Sequence, residues 1–100
     1  MKDNYELIDD RRACQYEFHI GGHVAKVEYI KSLNGIMYLT HTEVPPDLKG
    51  HRIGSLLVEK VLADVERQKL RLVPLCPFVA IYIQKHPEWK RLLQEGFQVD

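Results

Sequence analysis

The stretch from Val44 to Lys60 constrains this chain more than any other. Val44 leads into Pro45 and Pro46, then into a basic turn, Lys49-Gly50-His51-Arg52-Ile53-Gly54, and then into apolar residues at helical spacing. Proline has no N–H for a sheet ladder, so the pair must end any strand that runs into it and leave a gap alongside. The helix that follows begins with N–H groups that have no intrahelical acceptor. They sit at the positive end of the helix dipole, beside Lys49, His51 and Arg52. That combination suits an anionic group, most simply a phosphate. The same residues also suit an ordinary strand-to-helix turn with solvated basic side chains.

Upstream, residues 13–20 alternate with period two. Cys14, Tyr16, Phe18 and Ile20 fall on one face, and Gln15, Glu17 and His19 on the other, which predicts a half-buried strand with Cys14 in the core. Gly21-Gly22 predicts a tight hairpin. A second strand is expected from His23 to Leu33, with Ala25, Val27 and Tyr29 opposite Lys26 and Glu28. Asn34-Gly35 then has the preference of a type I′ turn. The third strand, Ile36 to Val44, is apolar on both faces, with Ile36, Tyr38 and Val44 against Met37 and Leu39. It is therefore expected to be central and covered on both sides. Tyr5 to Ile8 is expected as a short edge strand.

Downstream, Ile53, Leu57, Val61 and Val65 recur at i+4 in a helix from about Arg52 to Gln68, with Ser55, Glu59, Asp64 and Arg67 facing water. Leu70 to Leu75 reads as a buried parallel strand, so strand, helix and strand make a βαβ unit after an antiparallel meander. Pro74 marks where this strand and the third should diverge, leaving a slot at their C-terminal ends. Pro77 fits a first helical position, with a helix over Phe78 to Lys85 and a second short one over Pro87 to Gln94, stopped by Gly96. Cys76 then lies at a helix start, where the dipole favours negative charge on its sulfur. The plain alternative is a small buried hydrophobe.

One hundred residues suit one compact domain, 1–100, and 45% hydrophobic with 28% charged content is ordinary globular composition. Acidic and basic residues balance at 14 each, which gives no global basic field for nucleic acid. No apolar run nears the ~20 residues of a membrane span, and the first ten residues lack the apolar core of a signal peptide. Two cysteines allow at most one disulfide. A reducing, cytoplasmic setting is the default, and no histidine or cysteine cluster has the spacing of a metal site.

Three blocks at this spacing carry a resemblance: His41-Thr42-Glu43-Val44-Pro45-Pro46, Lys49 to Gly54 with its helix, and Val73 to Val79 with His86-Pro87-Glu88-Trp89 beyond. Together they resemble the GNAT superfamily of acetyl-CoA-dependent N-acetyltransferases, and within it the minimal YjdJ-type branch. The likeness covers about residues 5 to 95. It implies an α/β fold whose mixed sheet is splayed to admit the pantetheine arm of coenzyme A. Backbone near Val44 would bond that arm. Lys49 and the loop N–H groups of Gly50, His51, Arg52, Ile53, Gly54 and Ser55 would hold the pyrophosphate. Arg52 stands where the superfamily usually has a glycine. A positive φ there costs an arginine more, a cost that a guanidinium directed at phosphate can offset.

The resemblance further implies acetyl transfer to an unidentified amine, on a small molecule or a protein. Cys76 is its catalytic residue, either taking the acetyl group or acting as base. Glu43 and His41, two apart on one strand face, would relay the amine's proton; their plain alternative is a solvated pair. Tyr82 is better explained by packing, with a role as proton donor to departing thiolate as the alternative. The expected partners are acetyl-CoA and the amine, with no nucleic acid, no membrane and no metal, in a monomer or weak dimer. Two other readings remain. One is a coenzyme A-binding sensor or interaction module with negligible transfer, since so short a chain has little to build an acceptor pocket. The other is a nucleic-acid-binding domain using Lys49 to Arg52, which zero net charge disfavours.

Overall fold

The computed structural model describes residues 4–99. Five strands form one sheet in the order β1-β2-β3-β4-β5: β1 Ile8–Asp10, β2 Gln15–Ile20, β3 His23–Lys31, β4 Ile36–Glu43 and β5 Arg71–Pro74. The first four pair antiparallel, and β4 and β5 pair parallel. Helix α1, Ile53–Arg67, connects β4 to β5, and helix α2, Pro77–Lys85, follows β5. Short 3₁₀ turns occupy Pro46–Leu48 and Pro87–Leu92. The chain is thus an α/β domain with a mixed sheet and packed helices, as its periodicities predict. Among the described residues, no helix is long and apolar enough to cross a membrane.

The core forms on one sheet face. Tyr16, Phe18, Ala25, Val27, Met37, Leu39 and Leu72 lie buried with Leu57, Val58, Val61, Leu62 and Val65, the apolar stripe of α1. The α1 stripe follows the i, i+4 pattern, which is why this helix lies flat on the sheet. Asp64, expected to face water, instead ties α1 to β2. It accepts the Tyr16 hydroxyl at 2.8 Å, Arg67 Nε at 2.9 Å and Gln68 Nε2 at 2.7 Å. Burial alone would push the Asp64 carboxyl up, but the bonds from Arg67, Tyr16 and Gln68 outweigh it and hold it below the usual range. Burial and the same bond push the Tyr16 phenol up.

Five expectations need correction. The edge strand is Ile8–Asp10 rather than Tyr5 to Ile8, because the Tyr5 ring packs on Phe18, with centroids 5.4 Å apart, instead of joining the ladder. Cys14 is exposed, not core: residues 11–14 form the turn between β1 and β2, and Cys14 takes φ +56° there. Asn34-Gly35 is not a two-residue turn. Gly35 N–H reaches Ser32 O and Ser32 N–H reaches Ile36 O, so Leu33-Asn34 is the centre and Gly35, at φ +86°, rejoins the strand. The segment after His86 is 3₁₀ and ends at Leu92.

The fifth correction concerns β4. Only Met37 and Leu39 are fully buried, so the strand is covered on one side rather than both. Its alternation also breaks. Tyr29 pairs with Leu39, but Glu28 pairs with His41, which leaves Thr40 unopposed in a β-bulge. The Thr40 hydroxyl donates to Glu28 O at 3.2 Å, which satisfies that carbonyl at the irregularity. One extra residue swaps the faces beyond it. Thr42, opposite Val27, joins the core face of Leu39, while His41 and Glu43, opposite Glu28 and Lys26, join the solvent face.

The Asp64 linkage gives a stability test. Its folded-state pKa lies below the ordinary 3.8, so its stabilisation is complete above that value and is lost as pH falls through the folded value. Asp64→Asn should destabilise by about 1.5–3 kcal/mol at neutral pH, the range for bonds to a charged group. Urea unfolding should show this gap narrowing in acid; an equal gap at neutral and acid pH would mean that the charge contributes nothing.

Candidate functional site

Pairing between β4 and β5 ends at Leu39↔Pro74, the point that Pro74 predicts. The missing N–H is not itself the cause: Arg71 and Leu75 donate to β4, at Gly35 O and Leu39 O, whereas Leu72 O faces Gln94, so the nitrogen of Pro74 points to the outer edge. Leu75 and Cys76 then turn their N–H groups back onto a single acceptor, Leu39 O, both at 2.9 Å. β4 continues to Glu43 without β5 beside it. The strands therefore diverge, and the chain enters α2 with Pro77 at its first position and Cys76 as N-cap.

Cys76 is buried at 4% exposure, and its Sγ lies 3.2 Å from Thr42 Oγ1. That contact depends on the bulge, because regular alternation would place Thr42 on the opposite face. His41 and Glu43 do share a face, with His41 Nε2 3.8 Å from Glu43 Oε1, but it is the solvent face. They are 56% and 60% exposed, and Lys26 Nζ joins them at 3.8 Å from Glu43. So Cys76 meets Thr42, while the His41–Glu43 pair lies on the other side of the same strand. Cys14, by contrast, is exposed at the far end of the sheet, beside a hollow of about 250 Å³ that holds none of the expected site residues.

The turn before α1 carries the second group of expected residues. Lys49, Gly50, His51 and Arg52 are exposed, Val44 is half-buried, and Ile53 and Gly54 are buried. Gly50 has φ +86° and Arg52 φ +60°, so the arginine does occupy the left-handed region that a glycine would fill without strain. The first helical bond is Leu56 N–H to Arg52 O at 3.0 Å, which leaves the amides of Ile53, Gly54 and Ser55 without intrahelical acceptors. Gly54 has a packing role that the sequence does not announce. A Cβ there would lie 2.6 Å from Phe78 Cζ, so glycine lets the Phe78 ring rest against the start of α1 where any other residue would displace it.

Between these helices runs a groove. Two adjoining cavities of about 200 and 180 Å³ share Ser55, Tyr82 and His86. Phe78 and Ile81 line one, and Arg52, Leu56 and Glu59 the other. The Tyr82 ring stacks on His86 at 4.2 Å. Burial, with Glu59 and Glu88 nearby, pushes the phenol up, so it stays protonated and able to donate. Thr42 and the Phe78–Gly54 contact are the site features that sequence reasoning missed. The groove is apolar along Phe78 and Ile81 and polar along Arg52, Glu59 and Glu88. Amide donors with basic side chains at one end and a thiol where two strands part suit a ligand with an anionic group and a reactive end.

A family model described as GCN5-related N-acetyl-transferase matches residues 15–92. The matched span contains β2 to β5, both helices and every candidate residue named above.

The strained turn makes its own prediction. Arg52→Gly removes a left-handed cost of ~1–2 kcal/mol and returns ~0.4–1 kcal/mol of unfolded-chain entropy, a net gain of about 0–1.6 kcal/mol. Arg52→Ala keeps the strain and should gain nothing. Chemical unfolding of both variants checks this; equal stabilities would mean that the turn relaxes without glycine.

Proposed function

Because the chain belongs to the GCN5-related N-acetyltransferase family, we propose that it transfers an acetyl group from acetyl-CoA to an amine, with Cys76 at the reacting centre. The observation that carries this reading is the parting of β4 and β5 after Leu39↔Pro74, with the Cys76 sulfur set at the opening. In this reading the amides of Ile53, Gly54 and Ser55 and the exposed Lys49, Gly50, His51 and Arg52 hold the pyrophosphate. Backbone near Val44 bonds the pantetheine arm. Acetyl-CoA supplies an activated thioester.

Two routes follow for the cysteine. In one, Cys76 takes the acetyl group as coenzyme A thiol departs, and the amine then takes it from the sulfur. In the other, Cys76 accepts the amine's proton as the amine attacks the thioester directly. In both routes the His41–Glu43 pair offers the amine's proton an outlet to solvent on the other side of β4. A small-molecule or protein amine, a reducing cytoplasmic setting and a monomer or weak dimer belong to the same reading. Both cysteines are free, as a reducing compartment would keep them.

Calorimetric titration with acetyl-CoA and mass spectrometry of candidate amines test the proposal together. Cys76→Ala should abolish acetyl transfer yet change coenzyme A affinity by less than about threefold, or ~0.6 kcal/mol, since the turn and strand backbone supply most of the binding. Full transfer by the alanine variant would move the chemistry to direct attack, with Glu43 as base. Tight binding with no acetylated amine would favour a coenzyme A-binding sensor or interaction module instead.

A further inference from the structure

The geometry points to Thr42 as the positioning residue for Cys76, its hydroxyl fixing the sulfur and donating to it whenever it carries negative charge. This rests on the proposed role of Cys76 as the reacting thiol. Two independent features place Thr42 there. The unopposed Thr40 rotates β4 so that Thr42 turns to the core face, opposite Val27. Separately, Leu39 O holds the N–H groups of Leu75 and Cys76 at 2.9 Å and so fixes the backbone from which the sulfur projects. Leu39 thereby anchors the cysteine's main chain and Thr42, three residues on, anchors its side chain, with Sγ and Oγ1 3.2 Å apart.

A threonine hydroxyl accepts from a thiol and, after a turn of its C–O bond, donates to a thiolate. It can therefore serve both protonation states without moving a heavy atom. No other polar side chain bonds the Cys76 sulfur among the described hydrogen bonds. β5 from Leu72 to Pro74 and the first turn of α2, Pro77 to Ala80, contain no titratable group. On β4 the titratable neighbours, His41 and Glu43, lie on the opposite face. The Thr42 hydroxyl is thus the polar side-chain group in bonding contact with the sulfur, beside the amides at the start of α2.

The test is the rate at which methyl methanethiosulfonate, a small thiol reagent, modifies each cysteine in the intact protein, read by peptide mass spectrometry. Thr42→Val keeps the side chain's shape and suits a strand, so the fold should persist; the rate at exposed Cys14 in the same sample, together with the thermal melt, reports on that. At pH 7.5 the valine variant should modify Cys76 about tenfold more slowly than wild type, the scale of losing a bond to a charged partner. At pH 9.5 the gap should narrow, because higher pH favours thiolate over thiol in wild type and variant alike. Thr42→Ser, which restores the hydroxyl, should recover most of the rate. A role in packing alone would change the rate equally at both pH values and would not be rescued by serine. A Cys76 that is reactive in wild type and unchanged in the valine variant overturns this inference alone. A Cys76 inert in wild type overturns it together with the proposed role of the thiol.

Discussion

The carbonyl oxygen of Leu39 accepts two N–H groups, from Leu75 and Cys76, where a parallel ladder would have brought one. Both lone pairs of that carbonyl are used, so the ladder closes there without leaving it orphaned. From this junction β5 turns away into α2, β4 runs on alone, and the start of α2 is pinned beside the start of α1. The opening between the strands is thus a consequence of hydrogen-bond accounting. The glycine at position 54 completes it by letting Phe78 lie against α1.

The opposite end of the sheet is built for rigidity. The Tyr16 hydroxyl bonds Asp64 and the Tyr29 hydroxyl bonds Asp9 at 2.6 Å, while the two rings pack with centroids 5.1 Å apart. Burial and these carboxylate partners push both phenols up, so they remain donors throughout the ordinary pH range. An anchored end and an open end divide the labour in one sheet: α1 is locked where it leaves the strands and presents unpaired amides where it begins.

Much of this was legible in the residues. The glycine hairpin, the i+4 stripe of α1 and Pro77 as a first helical residue all follow from local chemistry that tertiary context did not override; pairing does end at Pro74, though not through its missing N–H. Even the positive φ of Arg52 was foreseeable from a glycine position filled by arginine. The bulge at Thr40 was not. Residues 40–43 are Thr, His, Thr and Glu, all polar, so an inserted residue leaves no break in hydrophobic alternation to read. That silence conceals which side of β4 each candidate takes. It explains why His41 and Glu43 could be grouped with Cys76 on paper, whereas Thr42 is its neighbour in space. Cys14 misled for a related reason: alternation continues into the turn, where the backbone no longer obeys it.

Leu93 and Gln94 run alongside β5. Leu93 bridges to Leu72 in parallel, and Gln94 N–H donates to Leu72 O at 2.8 Å. At the other margin, β1 is only three residues long and ends in Asp9 and Asp10. Unpaired sheet margins are templates on which foreign chains can polymerise, and short, charged or covered margins are the usual defence. This sheet has one of each kind. By covering the outer edge of β5 at Leu72, Leu93 and Gln94 leave less bare backbone there for a foreign strand to pair with, and they do so without touching any residue of the thiol-bearing opening.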